Sequence, residues 1–306
     1  MKKVTIVGTG LIGCSTGIAL RNKGYTVTGY DKSVDNLILA KSLGAIDIIE
    51  YSVEQALRNA NIVFLATPVD CIKRSLPHFM DIVPYGCVVI DAGSTKADIC
   101  RGIEDHPKRD SFVAAHPMAG CEKAGPAKAD PDLFANKKVV ICEQEQSSYE
   151  AIKAANKLFE DLGMTIIYLT PVEHDMTVAL TSHLPQVVSY LFASMPEFES
   201  SEYKSWNRLA AGGFDSISRL ASSAPEVWLP IFSQNKDLVA KALRTLSKTM
   251  NLFAENIENN DHAYMKSIIN KANETRRKFN EGHNKNGNTN SRHCHTKKIQ
   301  QNGNTQ

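Results

Sequence analysis

No two cysteines in this 306-residue chain form a C-x-x-C pair; the seven, at positions 14, 71, 87, 100, 121, 142 and 294, stand singly and at irregular spacing. An odd, scattered set excludes a disulfide framework and a zinc cage, and points to a reducing compartment. Charge of one sign is also missing. Lys and Arg total 35 against 33 Asp and Glu, and residues 281–306 alone hold four bases and one acid. Without that tail the balance is 31 to 32, a net charge of −1, so no basic domain suggests nucleic acid or an anionic membrane as partner. The chain lacks a run of 18 apolar residues, and MKKVTIVGTG opens on a strand pattern instead of a signal peptide. A soluble, cytoplasmic protein is expected. What is present is ordinary: 42% hydrophobic and 22% charged residues, enough to build a core over two domains.

Short β-branched runs alternate with helical patterns through the first half. Strands are expected at Val4–Val7, Thr26–Tyr30, Ile62–Ala66, Val88–Asp91, Phe112–Ala115, Val139–Cys142 and Thr165–Leu169, with amphipathic stretches such as Leu11–Asn22 and Val34–Leu43 between them. That alternation reads as a mostly parallel sheet covered on both faces. After Pro171 the pattern becomes helical, at roughly Val172–Met195, Pro225–Ile257 and His262–Phe279. Leu229, Phe232, Leu238, Ala242 and Leu246 recur at helical spacing and need a partner surface, so a homodimer built through this part is expected. The organisation is therefore α/β: a dinucleotide-binding domain over 1–170, an all-α dimerisation domain over 171–280, and a disordered polar tail over 281–306. The tail's His293-Cys294-His295 is a solvated polar tract, and no metal site is expected.

The sharpest motif is Gly8-Thr9-Gly10-Leu11-Ile12-Gly13, directly after one strand and opening a helix. In that context Gly8 makes the tight turn, Gly10 admits a pyrophosphate to the backbone, and Gly13 lets helix pack on strand. The helix N-terminus supplies amide donors. Asp31 ends the next strand, 18 residues after Gly13, where a carboxylate bonds ribose hydroxyls and repels a 2′-phosphate. This is a Rossmann-type site, and NAD is favoured over NADP. Thr67 and Pro68 follow the next strand and complete its rim.

Ligands in such sheets lie beyond the carboxyl ends of the strands. Two further ends carry Gly93-Ser94-Thr95-Lys96 and His116-Pro117-Met118-Ala119-Gly120, bringing hydroxyls, an ammonium and an imidazole to one crevice. A hydride acceptor with a histidine base suffices to oxidise an alcohol-bearing carbon. Asp175, Ala179, Ser182, His183 and Gln186 form a polar stripe on one helix that Pro185 should kink. Gly212-Gly213-Phe214-Asp215 leads to Arg219 and Trp228, and an arginine aimed at the crevice would clamp a substrate carboxylate.

Five segments in order, GTGLIG at Gly8–Gly13, DAGSTK at Asp91–Lys96, HPMAGCEKAG at His116–Gly125, TSHLPQ at Thr181–Gln186 and GGFDSISRLASSAPEVW at Gly212–Trp228, resemble the prephenate/arogenate dehydrogenase family of tyrosine biosynthesis over about residues 3–280. The resemblance implies oxidative decarboxylation: hydride leaves ring C4 for NAD, the ring carboxylate departs as CO2, and the ring becomes aromatic. It implies that His116 accepts the proton of the C4 hydroxyl and that Ser94 orients that hydroxyl or His116. Arg219 would hold a substrate carboxylate, with His183, Gln186, Trp228 and Gly212 lining the pocket. Many members carry histidine where this chain has Gln186, and members that use arogenate tend to carry an acid in this region. A neutral amide gives an ammonium no counter-charge, which favours prephenate. No counterpart of the family's frequent C-terminal regulatory domain is expected after Phe279.

Two other readings compete. A different β-hydroxyacid-type dehydrogenase would use a lysine on a helix of the second domain, against which the HPMAG segment speaks. A silent NAD-binding sensor would need the glycine loop and Asp31 but not Ser94, His116 and Arg219 together.

Overall fold

The computed structural model describes residues 2–121, 125–198 and 205–284. The tail beyond residue 284, with its His-Cys-His cluster, and part of the HPMAGCEKAG segment lie outside them. In chain order the elements are β1 (Lys3–Val7), α1 (Leu11–Arg21), β2 (Thr26–Tyr30), α2 (Val34–Ser42), β3 (Ile48–Ile49), α3 (Val53–Arg58), β4 (Ile62–Leu65), α4 (Val69–Ile82), β5 (Val88–Asp91), α5 (Ala97–Arg101), β6 (Phe112–Pro117), β7 (Lys138–Cys142), α6 (Tyr149–Asp161) and β8 (Thr165–Leu169). They are followed by α7 (Pro171–Val178), a π-helical turn (Ala179–His183), α8 (Leu184–Phe198), α9 (Trp206–Leu209), α10 (Gly212–Ser218), a 3-10 turn (Arg219–Ser222), α11 (Pro225–Gln234), α12 (Lys236–Glu258) and α13 (His262–Asn284).

The strands form one sheet in the order β3-β2-β1-β4-β5-β6-β7-β8. All neighbours are parallel except β6 and β7, where His116 lies opposite Val140. Period-two alternation decides which core each side chain enters. Ile62 and Phe64 of β4 join the core under α1, α2 and α6, while Val63 and Leu65 join the core on the other face, with Ile72, Leu76 and Phe79 of α4. Each such side chain, once fully buried, contributes about 1.5–3 kcal/mol. The order reverses between β1 and β4, and the ends of β1, β4, β5 and β6 open on that side. β3 is only two residues long and too short to show a period in the sequence.

The helical half differs from the expected long helices. The stretch from Pro171 starts with a side-chain cap, Thr170 Oγ1 accepting from the Glu173 amide at 3.1 Å. The break expected at Pro185 appears one turn earlier as the π-helical turn Ala179–His183, because Pro185 offers no N–H to the carbonyl four residues back. The second stretch divides at Asn235 into α11 and α12. The third runs to Asn284, so residues 281–284, expected in the polar tail, are helical.

The residues up to Ser247 form one compact unit and those from Lys248 a second. The first takes in the whole sheet together with α7–α11, since α7 packs on α5 and α11 on α4. The second contains the end of α12 and α13, joined by the Phe253 and Tyr264 rings at 6.4 Å. Met250, Ile257 and Ile269 remain exposed on these helices, as does Leu229 on α11. Among the described residues, no helix is long and apolar enough to cross a membrane.

Candidate active site

The glycine loop between β1 and α1 has the form that a phosphate requires. Gly8 has φ +96°, and a Cβ there would meet the Ala66 carbonyl at 2.8 Å, so only glycine fits. A Cβ on Gly13 would collide with the Gly8 carbonyl, whereas one on Gly10 would meet nothing within 4 Å. Gly10 is thus the open face of the cradle. No side chain caps α1, so the first-turn amides around Leu11 and Ile12 are left for an anion. Asp31 at the end of β2 is half-buried. Its Oδ2 accepts the Thr9 amide at 2.7 Å and the Thr9 hydroxyl at 3.2 Å, and its Oδ1 accepts the Ser33 amide at 2.8 Å. Asp31 therefore locks the loop as well as presenting negative charge at its edge. Thr67 is half-buried against Gly8 and Pro68 is exposed at the start of α4. These residues fit a dinucleotide.

Beneath the adjoining strand ends lies a buried ion pair. Lys96, expected to offer its ammonium to the crevice, has no exposed surface: it pairs with Asp91 and donates to the Ala115 carbonyl at 2.7 Å. Asp91 also accepts the Gly93 amide at 2.9 Å and the Ala115 amide at 3.1 Å. A buried ammonium requires a counter-charge, and the nearest is its own strand's last residue. The pair staples the end of β5 to the end of β6, directly under His116.

His116 is half-buried near the end of β6. Its Nδ1 lies 2.8 Å from Nε2 of His174 on α7, and His174 Nδ1 lies 2.7 Å from Asp175 Oδ1. Asp175 in turn accepts the Lys96 amide on Oδ1 and the Ala97 amide on Oδ2, each at 2.9 Å. Burial drives the His116 pKa well below the ordinary imidazole value, and His174, Lys96 and His183 nearby push it the same way. Burial works against the charged form of Asp175, but the His174 and amide hydrogen bonds outweigh it and hold its pKa below the usual carboxylate value. His116 is therefore neutral and Asp175 ionised at neutral pH.

Ser94, expected to orient the substrate hydroxyl or His116, is half-buried on the same rim and hydrogen-bonds no described residue. Its neighbour Thr95 instead donates to Gln234 Oε1 at 2.6 Å, tying the β5 end to α11.

The remaining expected residues fall into two groups. His183 and Gln186 are each buried, with 1% of their surface exposed. Asn235 donates to His183 Nδ1 at 3.2 Å and to the Asp175 carbonyl at 2.9 Å, and Trp228 packs edge-on against the His183 ring at 6.0 Å. Gln186, expected as a substrate contact, spends its amide nitrogen on the Leu220 carbonyl at 2.7 Å. Tyr190 likewise donates to the Ser223 carbonyl at 2.9 Å. Together they hold the 3-10 turn that carries Arg219, which is exposed, as is Gly212; Trp228 is half-buried. Among the described residues, no three His, Cys, Asp or Glu are grouped to hold a metal ion.

Sequence reasoning missed His174, although it adjoins Asp175. It points about 100° away from the polar stripe around the helix, so periodicity hid it. Gln234 and Asn235 were likewise invisible, lying inside what looked like one long helix.

A switch-point crevice with a glycine cradle, and a helical segment that brings a histidine to the strand ends, define a Rossmann-type nucleotide-binding protein with a helical second part. The chain matches the prephenate dehydrogenase nucleotide-binding domain family over residues 16–168 and the prephenate dehydrogenase dimerization domain family over residues 170–271. It belongs to the prephenate dehydrogenase family. It is 31% identical over 242 residues to a prephenate dehydrogenase of Bacillus subtilis, covering 77% of this chain and 65% of that longer protein. It is 30% identical to a cyclohexadienyl dehydrogenase of Zymomonas mobilis, covering 76% of this chain and 81% of that protein. Among solved structures, prephenate dehydrogenase from A. aeolicus in complex with hydroxyphenyl propionate and NAD+ superposes with a TM-score of 0.82 at 28% identity, over 91% of this chain and 98% of that one.

Proposed function

We propose that this chain is an NAD-dependent prephenate dehydrogenase, converting prephenate to 4-hydroxyphenylpyruvate, CO2 and NADH. The observation that carries the reading is His116: a half-buried imidazole, kept neutral, at a strand end beside the dinucleotide cradle. The relatives' names and the NAD+ complex of the A. aeolicus enzyme support it.

The cradle of Gly8–Gly13 would hold the pyrophosphate and Asp31 the ribose, and the bound nicotinamide would supply the hydride acceptor. His116 takes the C4 hydroxyl proton as hydride leaves C4. Loss of CO2 from C1 returns an electron pair through the ring to that oxygen, which recovers a proton as the ring aromatises; the net reaction neither releases nor consumes one. Because aromatisation drives the step, the protein mainly orients the substrate and keeps His116 neutral. Ser94 would orient the hydroxyl, and Arg219 would bind a substrate carboxylate, with Trp228 and Gly212 on the wall.

The chain is proposed to act in the cytoplasm as a homodimer; the exposed apolar residues of its last helices and the match to a dimerization domain support this. The domains would divide at 170/171. Arogenate is the second reading, favoured by the similarity to a cyclohexadienyl dehydrogenase. Because Gln186 is turned to Leu220, its contribution to specificity would run through Arg219's position. Absorbance of reduced nicotinamide, recorded with NAD or NADP and either substrate, tests the proposal. Turnover of prephenate with NAD is expected; turnover of arogenate alone would overturn the substrate, and no turnover with either would overturn the activity.

A further inference from the structure

We propose that His174 and Asp175 are positioning residues that hold His116 in one tautomer, with its proton on Nδ1 and Nε2 left as the accepting atom. The inference rests on His116 being the proton acceptor, and it follows from donor and acceptor accounting along a single line of atoms. The ionised Asp175 carboxylate only accepts, and it already takes two backbone N–H groups from Lys96 and Ala97. His174 Nδ1, at 2.7 Å from it, must therefore be the protonated nitrogen. A neutral His174 then has a bare Nε2, which can only accept. The facing Nδ1 of His116, at 2.8 Å, must donate. That leaves Nε2 as the unprotonated nitrogen of the neutral His116 ring. A doubly protonated His174 would reverse the second bond, move the His116 proton to Nε2 and abolish the base.

The chain also bears on the charge that forms in the reaction. When Nε2 takes the substrate proton, the imidazolium keeps its Nδ1–H bond to His174, and the Asp175 carboxylate behind His174 is the counter-charge. Lys96, the other ionic group near His116, is a cation already neutralised by Asp91. Asp175 grips the amides at the end of the Asp91–Lys96 segment, so one carboxylate sets both the tautomer of His116 and the position of the rim that carries Ser94. A purely structural His–Asp pair would need neither a particular tautomer nor a histidine partner.

The test is a nitrogen-15 NMR measurement of imidazole tautomers in the full chain, together with steady-state kinetics. In the wild type, His116 should show a protonated Nδ1 and a bare Nε2. His174→Phe should lose that preference and lower kcat about 10- to 100-fold, with KM for the substrate within about threefold, as for a defect confined to the chemical step. His174→Gln, whose amide can donate to Asp175 while its carbonyl accepts from His116, should keep the tautomer and recover most of kcat. A protonated Nε2 in the wild type would overturn the proposal. So would an unchanged kcat in His174→Phe alongside an inactive His116→Asn. If His116→Asn itself retained full kcat, the assignment of the base would fall instead, and the tautomer spectrum would still report on the relay. Should His174→Phe not fold, the wild-type spectrum and His174→Gln decide.

Discussion

The backbone N–H of Lys96 donates to the carboxylate of Asp175, 79 positions further along the chain, at 2.9 Å. Through that bond the first helix after the sheet is fixed to the loop that ends β5. The His116–His174 contact depends on this junction, because His116 reaches its histidine partner only if α7 lies where Asp175 holds it.

Removing the imidazole of His116 should show first in the chemical step. His116→Asn is expected to lower kcat by about 10²–10⁴, the usual range for loss of a general base, while the fold seen by circular dichroism stays the same. An unaltered kcat would reject the role.

Arg219 should act in binding. Its replacement by Ala is expected to raise KM for the substrate about 10- to 100-fold and to leave kcat within a few-fold, since a carboxylate contact is already made in the ground state. Initial-rate kinetics at saturating NAD separate the two. A fall in kcat without a change in KM would place Arg219 in the transition state instead.

The buried pair predicts a large stability effect. Lys96→Met leaves the Asp91 carboxylate buried without its counter-charge and should cost about 3–5 kcal/mol in urea unfolding, whereas Asp91→Asn combined with Lys96→Met should recover part of the loss. If the single variant matched the wild type, the pair would contribute nothing to stability.

Stability should also fall in mild acid. Burial lowers the His183 pKa to about 4 from 6.5; the Asp175 carboxylate opposes the shift and His174 adds to it. Between those values the unfolded chain binds more protons than the native one. The stabilisation is therefore complete above pH 6.5 and is lost as pH falls toward 4, a change of about 3 kcal/mol from His183 alone. His116, depressed in the same sense, adds to the slope. Urea midpoints measured across that window should decline, and His183→Gln should flatten the decline; an identical slope in the variant would count against it.

Local patterns in the chain carried the sheet and the cofactor cradle. Short apolar runs such as Ile62–Leu65 and Val88–Asp91, and a strand running into Gly8–Gly13, are set by neighbours a few residues apart, and steric limits at Gly8 and Gly13 act over the same range. The placement of His116 and Ser94 at strand ends was legible because strand ends declare themselves in one dimension. The His116–His174 contact spans 58 residues and the Thr95–Gln234 contact 139, and no local pattern encodes either. Lys96 shows the difference most clearly. Its position at a strand end was readable, but whether its ammonium faced the crevice or Asp91 depended on the cost of burying a charge, which only the packed structure determines. The sequence by itself determined the fold class, the glycine loop and which residues stand at the strand ends. The tertiary structure decided how those groups are paired, because hydrogen-bond partners and burial are properties of surfaces that meet only when the chain is folded.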